Sequence, residues 1–208
     1  PATHWPLMQE AAAYGLPMLV EKPLVLPEET DIVKAAASSL PLILIGYQWR
    51  YAPELSSVRG DNIVATYYGA LGARDAAWLR DPAQGGGVLM EYSHAIDYAL
   101  QALGDTMPDA VLALCAPEET FAAIRWESKQ RAAAVYLAFE GPARASLQAD
   151  NGMWTRLQSD LDTCYRAQTA HFLEVCNGAT PRCGLTHGLR VLDIIAAARQ
   201  SYGEWIAV

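Results

Sequence analysis

The chain has 208 residues, a formal net charge of −8, and 52% hydrophobic against 18% charged residues. That is one large domain or two small ones, long enough to hide roughly 70% of its unfolded surface without a disulfide or metal staple. The composition excludes disorder and collagen-like repeats, and the acidic balance argues against nucleic acid and anionic membranes as partners.

In chain order, the pattern predicts a helix over Trp5–Tyr14 with Gly15 at its end, then a short apolar strand, Pro17–Val20. Glu21-Lys22-Pro23 follows at once. Pro27-Glu28-Glu29 opens a second helix, with proline and acids in the first turn, running to about Ser39. Leu42–Tyr47 is a second buried strand. Helix, strand, helix, strand with short links predicts parallel pairing, and two strands are too few for a complete doubly wound sheet. Beyond Arg50 the pattern changes. A short helix is expected over Ala52–Val58 from Pro53, a strand over Asn62–Tyr68, then a loop. Gly85-Gly86-Gly87 precedes one helix, Val88–Leu103, that Gly104 ends. Four strands follow without helices between them: Ala110–Ala116, Phe121–Glu127, Ala132–Phe139 and Ala143–Gln148. Such a run predicts antiparallel sheet. Helices over Leu161–Cys176 and Thr186–Tyr202 and a tail, Trp205–Val208, close the chain.

No apolar run approaches the ~20 residues that span a bilayer, and no signal-peptide pattern opens the chain. Cys115, Cys164, Cys176 and Cys183 fit no zinc spacing, so no metal is expected and four reduced thiols in the cytoplasm are. Two places carry candidate chemistry. Lys22 stands at the carboxyl end of a strand, where open α/β sheets bind ligands; it is either a proton donor there or one half of a strand-end salt bridge. Glu91, His94 and Asp97, spaced by three, would line one helix face. An imidazole between two carboxylates suits acid/base work, and equally describes a solvated ion pair. The preceding glycines admit close approach by a ligand or by another loop. His171 and His187 are expected at helix starts, on the surface or capping. The chain contains neither GxSxG, a Walker A loop nor GxGxxG.

Gly15-Leu16-Pro17-Met18-Leu19-Val20-Glu21-Lys22-Pro23, Gly46-Tyr47-Gln48-Trp49-Arg50-Tyr51-Ala52-Pro53, the triple glycine leading to His94-Ala95-Ile96-Asp97, and Gly188-Leu189-Arg190 together resemble the Gfo/Idh/MocA oxidoreductases, across essentially the whole chain. The resemblance implies an α/β remnant of a Rossmann domain, residues 1–48, followed by an α+β domain with an open, mainly antiparallel sheet, residues 49–208. It implies hydride transfer between NAD or NADP and a CH–OH group of a sugar, sugar derivative or cyclitol. Lys22 would contact the reacting hydroxyl and the nicotinamide end, and His94 would exchange the proton, with Asp97 holding its ring. Pro23 would follow a cis bond. His4, Glu21, Lys22, Pro23 and Arg50 would lie along the cofactor; Lys22, Glu91, His94 and Asp97 would meet the substrate. Met90 stands where the family often has Asp, so the acid before the histidine is here Glu91. The missing dinucleotide fingerprint implies at least ~60 further residues upstream of Pro1 and a chain inactive alone. Subunits would pair through the sheet as homo-oligomers. A non-catalytic assembly module without a cofactor half is the alternative.

Overall fold

The computed structural model describes residues 1–70, 79 and 81–208, and holds two sheets. The smaller is the parallel pair β1 (Met18–Val20) and β2 (Ile43–Ile45). Helix α1 (His4–Ala12) leads into β1. Helix α2 (Thr30–Ala36), extended by 3-10 turns at Pro27–Glu29 and Ala37–Ser39, carries the chain from β1 back to the start of β2. A parallel pair needs such a crossover, which the sequence pattern of apolar runs around a proline-opened helix supplies.

The larger sheet has seven strands in the order β8-β7-β3-β6-β5-β4-β9. They are β3 (Asn62–Tyr68), β4 (Ala110–Cys115), β5 (Phe121–Ser128), β6 (Arg131–Ala138), β7 (Arg144–Ala149), β8 (Thr155–Arg156) and β9 (Ile206–Ala207). Its pairs are antiparallel except β3–β6, which is parallel. The exception follows from chain order. A helical crossover and the β4–β5 hairpin separate β3 from β6, so the chain returns in its original direction. Strands β8 and β9 have two residues each, too few to show an alternation in sequence.

Alternate residues of each strand are buried under helices. Ile63 and Ala65 of β3, Val135 and Leu137 of β6, and Leu147 of β7 are buried. Helix α5 (His94–Ala102) and helix α7 (Leu185–Ser201) cover that face. Helix α7 also packs on the small sheet. A Cβ on Gly188 would stand 2.0 Å from the Ile45 side chain, so only glycine permits the approach. One continuous core therefore spans both sheets. Helices α3 (Pro53–Ser56) and α6 (Leu161–Cys176) flank it, the latter capped by Asp160, which accepts from the Thr163 amide at 2.7 Å.

The helix expected over Val88–Leu103 is broken. Helix α4 (Val88–Glu91) ends at Tyr92, whose ψ of 24° leaves the helical range, and α5 restarts at His94. The break turns Glu91, His94 and Asp97 toward different partners. Much of the loop expected after Tyr68 falls on residues 71–78 and 80, outside the described residues. Among the described residues, no helix is long and apolar enough to cross a membrane, and the four cysteines are unpaired.

Candidate active site

Strand β1 delivers Lys22 to the junction of α4 and α5. Its ammonium donates to the Glu91 carbonyl at 2.7 Å and lies 3.6 Å from the Glu91 carboxylate. Its side chain is 13% exposed, so the charge is screened from bulk water yet reachable. The Lys22–Pro23 peptide is cis. His4, just before the helix expected from Trp5, is the first residue of α1, and its Nδ1 donates to the Pro23 and Leu24 carbonyls at 2.9 and 3.1 Å. That fixes the chain as it leaves Lys22. Glu21 is exposed and packs against Gly46.

His94 is buried inside an aromatic box. Tyr47 and Trp49 meet its ring edge-on at centroid distances of 5.6 and 6.3 Å, and Tyr67 stacks on it at 6.3 Å. Its Nδ1 is buried without a hydrogen-bond partner. Burial, and secondly the positive charge of Lys22, push its pKa well below the usual imidazole value, so it is neutral. A cavity of about 160 Å3 opens beside Glu91 between Tyr67, Leu79, Tyr92 and Ala143. Tyr92 is held there by its hydroxyl, which donates to the Gly69 carbonyl at 2.5 Å. Glu91 lines that small, aromatic-walled cavity, and next to Glu91 stand the Lys22 ammonium and, in the same α4–α5 region, the neutral His94 imidazole. Together they can donate to a substrate oxygen and accept a proton from it.

Two assignments made from the sequence find different partners. Asp97, expected to hold the His94 ring and meet the substrate, makes no hydrogen bond to His94. It is fully buried and accepts from Arg50 Nε at 2.7 Å, with His187 Nε2 also at 2.7 Å. Arg50, expected along the cofactor, has its guanidinium engaged by protein groups. It is 3% exposed, and its guanidinium also donates to Asp105 at 2.8 Å and to the Arg182 carbonyl at 3.1 Å. Burial would raise the Asp105 pKa, but hydrogen bonding from His187 and the Arg50 charge outweigh it and hold the carboxyl below the usual range. Asp97, Cys183 and His187 place potential metal-ligand atoms within 4.8 Å of one another. The Arg50 guanidinium already supplies the positive charge there, so we assign no metal. His187 is thus a buried partner of two carboxylates and not a surface residue; its partner Asp97 is 90 positions away, and nothing local signals the contact. His171 is also buried. Its Nδ1 donates to Glu174 at 2.9 Å while Nε2 accepts from the Arg182 amide at 3.1 Å. The aromatic box was likewise missed, although Tyr67 continues the inward alternation of Ile63 and Ala65 and could have been found by it.

The triple glycine receives another loop. Gly87 has φ +84°, and a Cβ there would stand 2.2 Å from the Glu119 carboxylate. The Val88 amide donates to the Glu119 carbonyl at 2.7 Å. Arg199 of α7 grips the Glu119 carboxylate with Nε at 2.7 Å and Nη2 at 3.1 Å. This clasp sets where α4, and with it Glu91, begins.

No family model and no curated protein matches the chain. Solved structures do match. GenD2 from gentamicin A biosynthesis, in complex with NAD, has 19% identity and a TM-score of 0.81 over 100% of this chain and 76% of that one. Myo-inositol 2-dehydrogenase from Lactobacillus plantarum has 18% identity and a TM-score of 0.78 over 100% and 78%. Levoglucosan dehydrogenase has 15% identity and a TM-score of 0.80 over 99% and 77%. With its small parallel sheet joined to an open, mainly antiparallel one, the chain has the fold of the Gfo/Idh/MocA-type oxidoreductases.

Proposed function

We propose that the chain carries the proton-handling site of an NAD(P)-dependent oxidoreductase acting on a CH–OH group of a sugar, sugar derivative or cyclitol. One observation carries this reading: Lys22, at the carboxyl end of a parallel strand, reaches across to the α4–α5 region beside a buried neutral imidazole with an unpartnered nitrogen. In this reading Lys22, at the carboxyl end of β1, would meet the nicotinamide end of the cofactor, with His4 beside it fixing the chain that follows Lys22. Residues 1–48 are the end of the cofactor unit in this reading, and 49–208 the substrate and assembly unit. When bound, the nicotinamide accepts the hydride in oxidation and returns it in reduction.

Lys22 donates a hydrogen bond to the substrate oxygen and stabilises negative charge developing on it. As the C–H pair departs, the hydroxyl proton passes to neutral His94, leaving a carbonyl. The aromatic box keeps water off the imidazole, and Glu91 anchors the Lys22 ammonium while facing the cavity. Asp97 and Arg50 act only by fixing α5. The pyrophosphate has no glycine-rich cradle in these 208 residues. We therefore expect the isolated chain to bind NAD(P) weakly and to turn over little by itself. Four unpaired thiols suit a cytoplasmic setting.

The test is NAD(P)-dependent oxidation of a polyol panel by the protein expressed from its own gene. Lys22→Met and His94→Ala should each lower kcat by about 10²–10⁴. Turnover unchanged in both variants overturns the site. Absence of both turnover and NAD(P) binding favours the non-catalytic assembly module.

A further inference from the structure

Among the described residues the larger sheet has one face without helices, and its β3–β7–β8 end concentrates positive charge. In register, Tyr68 lies opposite Arg144, Thr66 opposite Ser146, and Ser146 opposite Arg156. All five point away from the helices, since the inward residues of β3 and β7 are Ile63, Ala65, Ala145 and Leu147. Together with Glu140 they line a cavity of about 470 Å3. The other arginines among the described residues donate to carboxylates or carbonyls, or lie over a ring. Among the described residues, the side chains of Arg144 and Arg156 make no hydrogen bond, ion pair or ring contact, and they line the same cavity, Arg156 standing opposite Ser146, two residues along β7 from Arg144. Two like charges on diagonal positions of one sheet face, lining one cavity, repel unless an anion lies between them.

We propose that this cavity binds a phosphoryl or sulfuryl group, free or carried by a small molecule, between the guanidinium groups of Arg144 and Arg156. The donor set decides the class. Two guanidinium forks present parallel N–H pairs. Thr66 and Ser146 hydroxyls, 2.8 Å apart, share one hydrogen bond and leave one proton to give. The Tyr68 phenol, its pKa raised by burial and by Glu140, stays protonated and donates. That is more donors than the two oxygens of a carboxylate can use, and it suits an anion with three or four oxygens. Glu140 opposes any anion from the rim of the cavity. The site is on the opposite sheet face from Tyr67 and the proposed active site, and it does not depend on that reading.

Calorimetry and phosphorus NMR of the full chain test it, with inorganic phosphate, sulfate, acetate, glucose and glucose 6-phosphate as probes. Phosphate and sulfate should bind saturably, and acetate and glucose should not. A sugar phosphate binding tighter than inorganic phosphate identifies an ester as the ligand, and equal binding identifies the free ion. Arg144→Gln and Arg156→Gln are exposed changes that leave the core intact, and each should weaken phosphate binding about tenfold. Glu140→Gln should tighten it several-fold, which nonspecific salt effects would not produce. The proposal is overturned by no saturable binding at ~10 mM phosphate, by acetate binding equally well, or by unchanged binding in the Arg144→Gln/Arg156→Gln double variant. It is also overturned if that variant loses self-association while the parent chain binds no phosphate, because the arginines then meet carboxylates of a second copy.

Discussion

Asp97 and His94 stand three residues apart on α5 and answer to different neighbours. Removing the Asp97 carboxylate strands the Arg50 guanidinium, 3% exposed, in the interior. Asp97→Ala should therefore cost about 3–5 kcal/mol in denaturant unfolding, the penalty of an uncompensated buried charge. The imidazole NMR signals of His94 should stay in place, since no bond joins the two side chains. A large shift of those signals would restore Asp97 as the ring's partner. His94 also makes stability depend on pH. Its folded pKa lies below its unfolded value, chiefly through burial, so the unfolded chain binds the proton more tightly. The stabilisation is complete above about pH 6.5 and is lost as the pH falls below it, at up to about 1.4 kcal/mol per pH unit. His4 shares the direction, again through burial first. His94→Leu should flatten the slope of melting temperature against pH between 6.5 and 5, and an unaltered slope would contradict the buried neutral ring.

Elements that are long and strongly periodic were legible from the chain. β3 and α6 fall on their predicted residues, and the strand run after Gly104 forms sheet as expected. The break at Tyr92 was not legible, because Val88–Leu103 keeps one apolar face and the Glu119 loop that pins its start comes later in sequence. Glu119 is itself a left-handed residue, φ +45°, with its carboxylate against Gly87. Gly87→Ala combines a positive φ with a clash against that group, and should cost about 2 kcal/mol or more. By thermal unfolding, a neutral Gly87→Ala would deny the clasp. A second tie joins α3 to the segment before α6, where Glu54 accepts from the Gln158 and Ser159 amides at 2.6 and 2.7 Å. Burial would raise its pKa, but those amides outweigh it and bring it to about 2, against an ordinary 4.5. A depressed carboxyl stabilises above its unfolded pKa. Acid unfolding should thus steepen between pH 4.5 and 2, and Glu54→Gln should remove that part.

For the whole molecule, the pairing of a short parallel sheet with a larger mixed one was legible as a change of pattern near Arg50. The β3–β6 parallel contact was not, since it joins residues 70 positions apart. Nor could periodicity say which strands lie at the edges. Among the described residues the seven-stranded sheet leaves one face without helices, and its two halves differ in character. At the β3–β7–β8 end it is cationic. Across β4, β5 and β6 it carries an apolar patch, with Leu114 63% exposed, Phe121 41% and Tyr136 39% and with Ala123 between them, bordered by the Arg125–Glu127 ion pair. A patch of large apolar side chains facing water favours association, and a flat self-complementary sheet face suits a twofold pair. We therefore expect the homo-oligomer to form through β4–β6. Leu114→Arg combined with Tyr136→Glu alters outward side chains only, so circular dichroism and melting temperature should change little. Sedimentation should then show a dimer or larger for the parent chain and a monomer for the variant. A monomeric parent chain would remove the sheet face from the assembly, and a variant that still associates would move the interface elsewhere.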